Sequence, residues 1–415
     1  MDKKDIKKGR RDFIKKGLAG VAGLLALPSC IKKLEIEPSP TKEESAKLIY
    51  RTLGRTKLRI PVVSFGVMNS HSEALIERAL EVGIKHLDTA NVYLDGKSET
   101  AIGNVLKRTG MRDKVYLATK MYFARDWEKR VFITEGTPER GPLPTEENFN
   151  KQLALSLERL QSDYVDILYL HACDSPGMAT FEPMMKALLK AKESGKARFI
   201  GLTTHNVPEV TRAAVDAGIY DVVLATYNYI DKNKDEKREA FKYAAKNGVG
   251  IIAMKTMGGS RLNADESVYI NHKAALKWVL SDEHVTTTIP GMTTFDQLEL
   301  NMSVMKDLRL TEEEKRDLKI SSLIKDTLYC QNCRSCISTC PQRVEIPDLM
   351  RAFMYAIGYE NYYQANSTLS MLPSKIGIQA CRDCNHCEAV CSNGIQIPER
   401  ITWLIDKGFS GIVTV

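Results

Sequence analysis

Beyond its first 29 residues the chain has almost no surplus of charge. It carries 59 Lys and Arg against 52 Asp and Glu in 415 residues, but eight of the cations and three of the anions precede residue 30. The remaining 51 and 49 leave a near-neutral body, which lacks the broad basic face that binds a polyanion. No nucleic-acid partner is expected. Long hydrophobic runs are missing too: the apolar stretch at 17–27 is too short and too rich in glycine to span a bilayer. Cysteine is nearly absent from the first 329 residues, where only Cys30 and Cys173 occur. A disulfide framework spread through loops is therefore excluded. Also lacking is the Gly-rich turn after a first strand that marks a doubly wound nucleotide-binding sheet.

What the chain does have is a concentration of thiols at its end. Eight of the ten cysteines form two runs, Cys330-x-x-Cys333-x-x-Cys336-x-x-x-Cys340-Pro341 and Cys381-x-x-Cys384-x-x-Cys387-x-x-x-Cys391. Spacing of three converges thiolates on one point. The doubled run resembles that of bacterial ferredoxins, with Ser392 where proline is usual. The resemblance implies two 4Fe–4S clusters, the fourth cysteine of each run crossing to the other cluster. Cys330, Cys333, Cys336 and Cys391 would then hold one, and Cys381, Cys384, Cys387 and Cys340 the second. Zinc is the competing metal, but its ribbon sites space their ligands differently. His386 reads as a neighbour of the ligands, not as one of them. The gap at 341–380 is too long for a compact ferredoxin hairpin, and the run from Asp348, just after Pro347, reads as a helix. Residues 321–415 thus resemble the α-helical ferredoxin type.

Between 49 and 320, short β-rich apolar runs alternate with amphipathic helical ones. Strands are expected at 61–66, 86–90, 115–120, 165–171, 197–204, 222–228, 250–255 and 286–291. Helices are expected near 71–82, 97–108, 146–160, 180–194, 207–217, 235–247, 268–281 and 294–304. Near-continuous apolar strands mark a parallel sheet buried on both faces. Eight strand–helix repeats in this length give an α/β fold, a closed (β/α)₈ TIM barrel. Active sites of such barrels gather at the C-terminal strand ends, where Asp88, Lys120 and His171 fall, with Tyr93 in the loop after the second strand.

These four residues and the barrel order around them resemble the aldo/keto reductase family. The motifs are Tyr50-Arg-Thr-Leu-Gly-Arg-Thr, His86-Leu-Asp-Thr-Ala-Asn-Val-Tyr93, Lys97-Ser-Glu, Asp166-Ile-Leu-Tyr-Leu-His171 and Ile289-Pro-Gly with Asn301 following. The resemblance covers residues 50 to about 305 and implies interconversion of a carbonyl and an alcohol. Tyr93 would be the proton donor, Lys120 and Asp88 would tune it, and His171 would orient the carbonyl. A free phenol near pKa 10 is a reluctant acid–base group at neutral pH, and an adjacent ammonium is expected to lower it. Any one of these residues alone reads as packing or a structural ion pair; the four together at matching strand ends read as function.

The same resemblance places the dinucleotide's contacts on Thr203 and Thr204 at the nicotinamide amide, on Met254 where an aromatic commonly stacks on the nicotinamide, on Lys255 beside it, and on Asn301 at an adenine contact. Thr203 can donate to an amide, but Leu224, at another contact position, cannot. The positions that grip a 2′-phosphate hold Gly291, Met292 and Gln297, without a guanidinium. NAD and NADP both remain open, as does a tightly held dinucleotide. Within the long loop at 121–145, Phe123, Arg125 and Trp127 are candidates to line a pocket, the competing reading being a surface flap. Cys173 is expected near the mouth as a bystander thiol.

Residues 1–30 read as an export signal, not a structure. Arg10-Arg11-Asp12-Phe13-Ile14-Lys15 resembles a twin-arginine signal, which implies passage of the folded protein to the bacterial cell envelope and a periplasmic location. Leu27-Pro28-Ser29-Cys30 resembles a lipoprotein processing site, with Pro28 departing from the pattern. Lipidation of Cys30, the sole expected membrane attachment, and ordinary cleavage nearby are both left open. Residues 31–48, charged and with two prolines, read as a linker. The parts then make an exported iron–sulfur oxidoreductase with a small-molecule substrate and an unidentified electron-transfer partner. Hydride moves two electrons and each cluster one, a mismatch usually bridged by flavin, for which no motif is present. The alternative is an electron-transfer protein whose barrel is a scaffold without nicotinamide chemistry.

Overall fold

A computed structural model describes residues 48–259, 270–323, 329–384 and 386–411. The expected export signal with Arg10, Arg11 and Cys30, and nearly all of the expected linker, lie outside the described residues. Eight strands form one parallel sheet in sequential order. They are β1 (Phe65–Gly66), β2 (His86–Asp88), β3 (Tyr116–Met121), β4 (Val165–Leu170), β5 (Ala197–Thr204), β6 (Val222–Thr226), β7 (Gly250–Met254) and β8 (Val285–Thr288). Closure follows from bridges of Val63 with Thr288 and Gly66 with Gly291, reinforced by Ser64 N donating to Thr288 O at 2.8 Å. The sheet is therefore the barrel read from the sequence. Gly66 is required at the seam, since a Cβ there would lie 2.6 Å from Ile289 O.

The outer helices are α1 (Glu73–Glu81), α2 (Lys97–Thr109), α3 (Glu146–Leu160), α4 (Glu182–Glu193), α5 (Val207–Asp216), α6 (Lys234–Lys246), α7 (His272–Leu280) and α8 (Phe295–Val304). Several begin on hydroxyl caps: Ser72, Thr145 and Thr294 accept from the backbone N–H three residues on, satisfying donors that the first turn leaves orphaned. A further helix, α9 (Glu312–Ser322), starts on a full capping box between Thr311 and Glu314.

Strand side chains divide between two cores. On β4, Leu168 and Leu170 face the helices, whereas Ile167 and Tyr169 point inward. The inner core is plugged from below by an antiparallel hairpin, Tyr50–Thr52 with Arg59–Pro61, which inserts Leu53, Leu58 and Ile60. Leu224 belongs to this inner core and is fully buried, so its side chain packs the barrel interior.

After α9 the chain becomes mainly helical: α10 (Ile346–Gly358), α11 (Tyr362–Ser370), α12 (Ile378–Arg382) and α13 (Ile397–Asp406). Pro347 stands in the first turn of α10 as expected. Leu349, Ala352, Ile378, Ile397 and Leu404 form a separate core. That core also takes in Met68, Trp127 and Ile230 of the barrel, so the cluster region is packed onto the strand-end face. Polar ties reinforce the contact. Gln331 Nε2 donates to Ile230 O at 3.1 Å, Asn361 Nδ2 to Asn69 Oδ1 at 3.2 Å, and Tyr363 bonds Asp95.

Candidate active site

Asp88 ends β2 and Lys120 lies near the end of β3, adjacent strands whose parallel register carries both toward the same face. Their side chains are 2% and 1% exposed and joined in a salt bridge, and Lys120 Nζ also donates to Thr89 O at 2.7 Å. Tyr93 follows β2 in a short turn that holds Leu94 and Asp95 in the left-handed region. Its ring receives Lys120 Nζ over its face, 4.9 Å from the centroid. His171 leaves the end of β4, its ring edge-on to Tyr93 at 5.8 Å and to Tyr122 at 6.1 Å. The structure thus brings together all four tetrad residues.

One expectation is reversed. Tyr93 is held well above the ordinary phenol value, first by burial and then by the charges of Asp88 and Tyr355. Lys120, committed to Asp88 and Thr89, meets the ring face, and burial dominates. Tyr93 is accordingly a protonated phenol. His171 is pushed well below its ordinary value by burial and by Lys120, Arg125 and Lys255, so it is neutral. Its Nδ1 is buried without a hydrogen-bonding partner among the described residues.

Around these groups lies a cavity of about 420 Å³. Arg125 and Trp127 line it, as expected from the long loop. Arg125 donates to Ala172 O at 2.5 Å, to His171 O at 3.1 Å and to Asp174 at 3.1 Å, fixing the turn that presents His171. Phe123 does not line it: that ring is fully buried, stacked on Phe149 at 6.2 Å, because the first residues of the loop continue the outer core. Cys173 is likewise absent from the mouth. Left-handed Ala172 turns the chain there, and the thiol is fully buried in the outer core, its pKa raised by burial.

The cofactor candidates divide. Thr203, Met254 and Lys255 line the cavity; Thr203 Oγ1 accepts from Ala172 N at 2.7 Å, which leaves its own O–H to donate. Gly291 and Gln297 also line it, with Thr293 and Thr294 at the N-terminus of α8, where backbone N–H groups favour an anion. Met292 is buried in the outer core, and Asn301 is buried on α8 away from the cavity lining. An amide donor site, an apolar ring support and a helix N-terminus on one cavity fit an elongated dinucleotide.

The cluster region supplies part of this wall. Asp348, Arg351 and Tyr355 of α10 enter the lining, at the three-to-four-residue spacing of one helix face. That stripe of polar side chains in an otherwise apolar helix was the available signal in the sequence, but it does not say which surface the stripe meets. His205, after β5, was likewise not anticipated. Behind Lys255, Arg351 and His205 a smaller cavity of about 30 Å³ is lined by Cys330 and Tyr329.

The cysteines fall into two neighbourhoods. Cys336 is pushed up to about 12 by burial and by Cys330, Cys391 and Cys333. Cys381 reaches about 12 by burial and by Cys340, Cys387 and Cys384. The same residues make up the crossed quartets that the ferredoxin resemblance implies. Backbone N–H groups of Asn332 and Asn393 point at the sulfurs of Cys330 and Cys391, at 3.4 and 3.3 Å. Eight thiols so grouped match the donor chemistry of iron–sulfur clusters. His386 is exposed between them.

Comparison with known proteins agrees with both halves. A model of the aldo/keto reductase family matches residues 64–272, and one of the 4Fe-4S dicluster domain matches 322–392. L-galactose dehydrogenase of Arabidopsis thaliana is 26% identical over 300 residues, covering 63% of this chain and 89% of its own. The NADP(+) aldo-keto reductase yakc of Schizosaccharomyces pombe is 29% identical over 212 residues, covering 48% of this chain and 58% of its own. Among solved structures, the holo form of aldo-keto reductase AKR11C1 from Bacillus halodurans shares the fold at a TM-score of 0.54 and 23% identity, over 66% of this chain and 96% of that one. The chain belongs to the aldo/keto reductase family, as an oxidoreductase whose barrel is followed by a 4Fe-4S dicluster domain.

Proposed function

We propose that the protein interconverts a carbonyl and an alcohol in the barrel cavity, with Tyr93 as proton donor, and exchanges the electrons with a partner through two 4Fe–4S clusters. The carrying observation is the shared wall: α10 of the cluster region lines the same cavity as Tyr93 and His171, and Cys330 stands behind Lys255, Arg351 and His205. A scaffold barrel would have no need of that arrangement.

Neutral His171 and the Tyr93 hydroxyl hold the carbonyl oxygen between two groups in a water-poor setting. Protonated Tyr93 gives its proton to the developing alkoxide, while the buried Asp88–Lys120 pair fixes the base of the site. Thr203 and Met254, with the α8 N-terminus, would hold a nicotinamide dinucleotide, which when bound supplies or accepts the hydride. Carbonyl reduction consumes two electrons and two protons; a bound dinucleotide would deliver both electrons as hydride with Tyr93 giving the other proton, while each cluster would carry one electron at a time to or from the partner. The crossed quartets would be their ligands, and Asn301 would contact the adenine only through a local shift, being buried on α8. The sequence reading of residues 1–30 supports export by the twin-arginine route to the periplasm, with a lipid on Cys30 as the candidate anchor, ahead of a linker to 48, the barrel to 320 and the cluster domain beyond.

The test is an inventory of cofactors by absorption and mass spectrometry on protein purified without oxygen, joined to turnover of Tyr93→Phe. Two clusters, a dinucleotide and loss of turnover on removing the hydroxyl are expected. Intact turnover in Tyr93→Phe would leave the barrel as scaffold.

A further inference from the structure

The buried lysines of the barrel each meet a carboxylate, and the half-buried Lys255 does not. Lys120, Lys237 and Lys277 each meet a carboxylate: Asp88, Asp231 at 2.8 Å and Glu314 at 2.8 Å. The guanidinium groups on the cavity do the same, Arg125 with Asp174 at 3.1 Å and Arg351 with Asp348 at 2.6 Å. Lys255 has no carboxylate partner among the described residues. Its Nζ donates to the hydroxyl of Tyr355 at 2.5 Å and lies 4.6 Å from the centre of that ring. An ammonium partly withdrawn from water gains from an anionic partner, and a neutral phenol gives only part of that compensation. Among the described residues the other pairs cancel, and Lys255 is the cation on this lining without a carboxylate in contact; Glu360, on the same lining, is exposed at the edge.

The backbone presents Lys255 deliberately. It follows β7 in the left-handed region at φ 55°, with its carbonyl held by Asn228 Nδ2 at 3.2 Å, a conformation that a lysine adopts at some cost. Tyr355 is 5% exposed and acts electrostatically on Tyr93, so the pair stands close to the reacting centre. Beside it, His205 lines the cavity with its Nε2 buried and lacking a hydrogen-bonding partner among the described residues.

We propose that Lys255 and Tyr355, with His205 Nε2 alongside, form a subsite for a carboxylate carried by the substrate, so that the enzyme acts on oxo acids and hydroxy acids. This rests on the carbonyl–alcohol reading above. The ammonium and the phenol O–H are two adjacent donors for the two oxygens of a planar carboxylate, and charge-assisted bonds of this kind are the strong ones. Because Tyr355 comes from the cluster domain, substrate choice is made jointly by both halves of the chain. A phosphate has a separate place to go, at the N-terminus of α8.

The experiment compares two ligands of equal carbon number, 2-oxobutyrate and butan-2-one, by titration calorimetry on the full chain with its clusters intact and oxygen excluded. The acid is expected to bind at least about tenfold tighter than the ketone, the scale of one hydrogen bond to a charged group. In Lys255→Met that advantage falls to within about threefold, and in Lys255→Arg most of it remains; cluster absorbance confirms that each variant is folded. Equal binding of acid and ketone by the unaltered protein overturns the proposal, as does an advantage that survives in Lys255→Met. A third result also overturns it: Lys255→Met weakening NADH or NADPH while the acid's advantage persists, which assigns the ammonium to the dinucleotide's phosphates. Reduction of butan-2-one that depends on Tyr93 preserves the carbonyl–alcohol reading in every one of these cases.

Discussion

Replacing Lys120 by methionine isolates what the Asp88–Lys120 pair contributes to stability. Both side chains are nearly inaccessible, at 1% and 2% exposure, so solvent screening offers no relief. Asp88 Oδ2 is already buried without a partner among the described residues. Removing the ammonium strands a carboxylate there, at a cost of about 3–5 kcal/mol. The double variant Lys120→Met with Asp88→Asn removes both charges and leaves one buried amide, so its loss should fall to about 1–3 kcal/mol. Urea unfolding without oxygen, read at constant cluster absorbance and unchanged slope, measures each loss. The dependence on pH has a definite sign. Burial holds Asp88 above the usual carboxylate value, and Lys120 opposes that rise; without Lys120 the value climbs further. A native value above the unfolded one means the native state binds more protons, so this contribution is full below the unfolded value and is lost as pH rises through the native one. The single variant's deficit should therefore be largest at neutral pH and shrink on acidification. A deficit that grows as pH falls, or a double variant as unstable as the single one, would refute the reasoning.

Other outcomes follow from the same geometry. Tyr93→Phe should lower carbonyl reduction at least about a hundredfold. With the phenol raised by burial, reduction should stay flat through neutral and mildly alkaline pH while alcohol oxidation climbs with pH, read from initial rates in both directions. Cys391→Ser should alter the paramagnetic signal of the cluster assigned to Cys330, Cys333 and Cys336, and Cys340→Ser the other; one signal changing in both variants would break the crossed assignment. Arg10→Lys with Arg11→Lys should abolish export, seen by fractionating cells for the folded, cluster-bearing protein.

Much of the fold was legible because its signals are local. The eight apolar runs mark the strands, and α3 spans Glu146–Leu160, the same limits as its periodicity. Tetrad placement followed, since a barrel carries every strand end to one face. Properties set by distant packing were not legible. Phe123 and Cys173 sit beside pocket residues in sequence, yet the outer core takes both. The adjacent lysine argues for a lowered Tyr93 phenol, yet it is raised, by burial and by the charges of Asp88 and of Tyr355, which a distant stretch of chain supplies. Helix α11 carries little local signal: its buried face is Gln364, Ala365, Thr368 and Leu369, half of it polar, so the sequence shows no clear apolar stripe. The polar stripe of α10 was visible as a stripe, but nothing local says that it meets a cavity instead of water.

The packing of the cluster region over the barrel's strand ends makes the chain indivisible in practice. Cutting near residue 320 would bare Met68, Trp127 and Ile230, which that region now covers, and would deprive Lys255 of its phenolic partner. Inhibitors selected against such a fragment would meet a wider, wetter opening than the whole enzyme presents. Damage by oxygen to the metal centres would reach the catalytic chamber as well, through the helix that the two share.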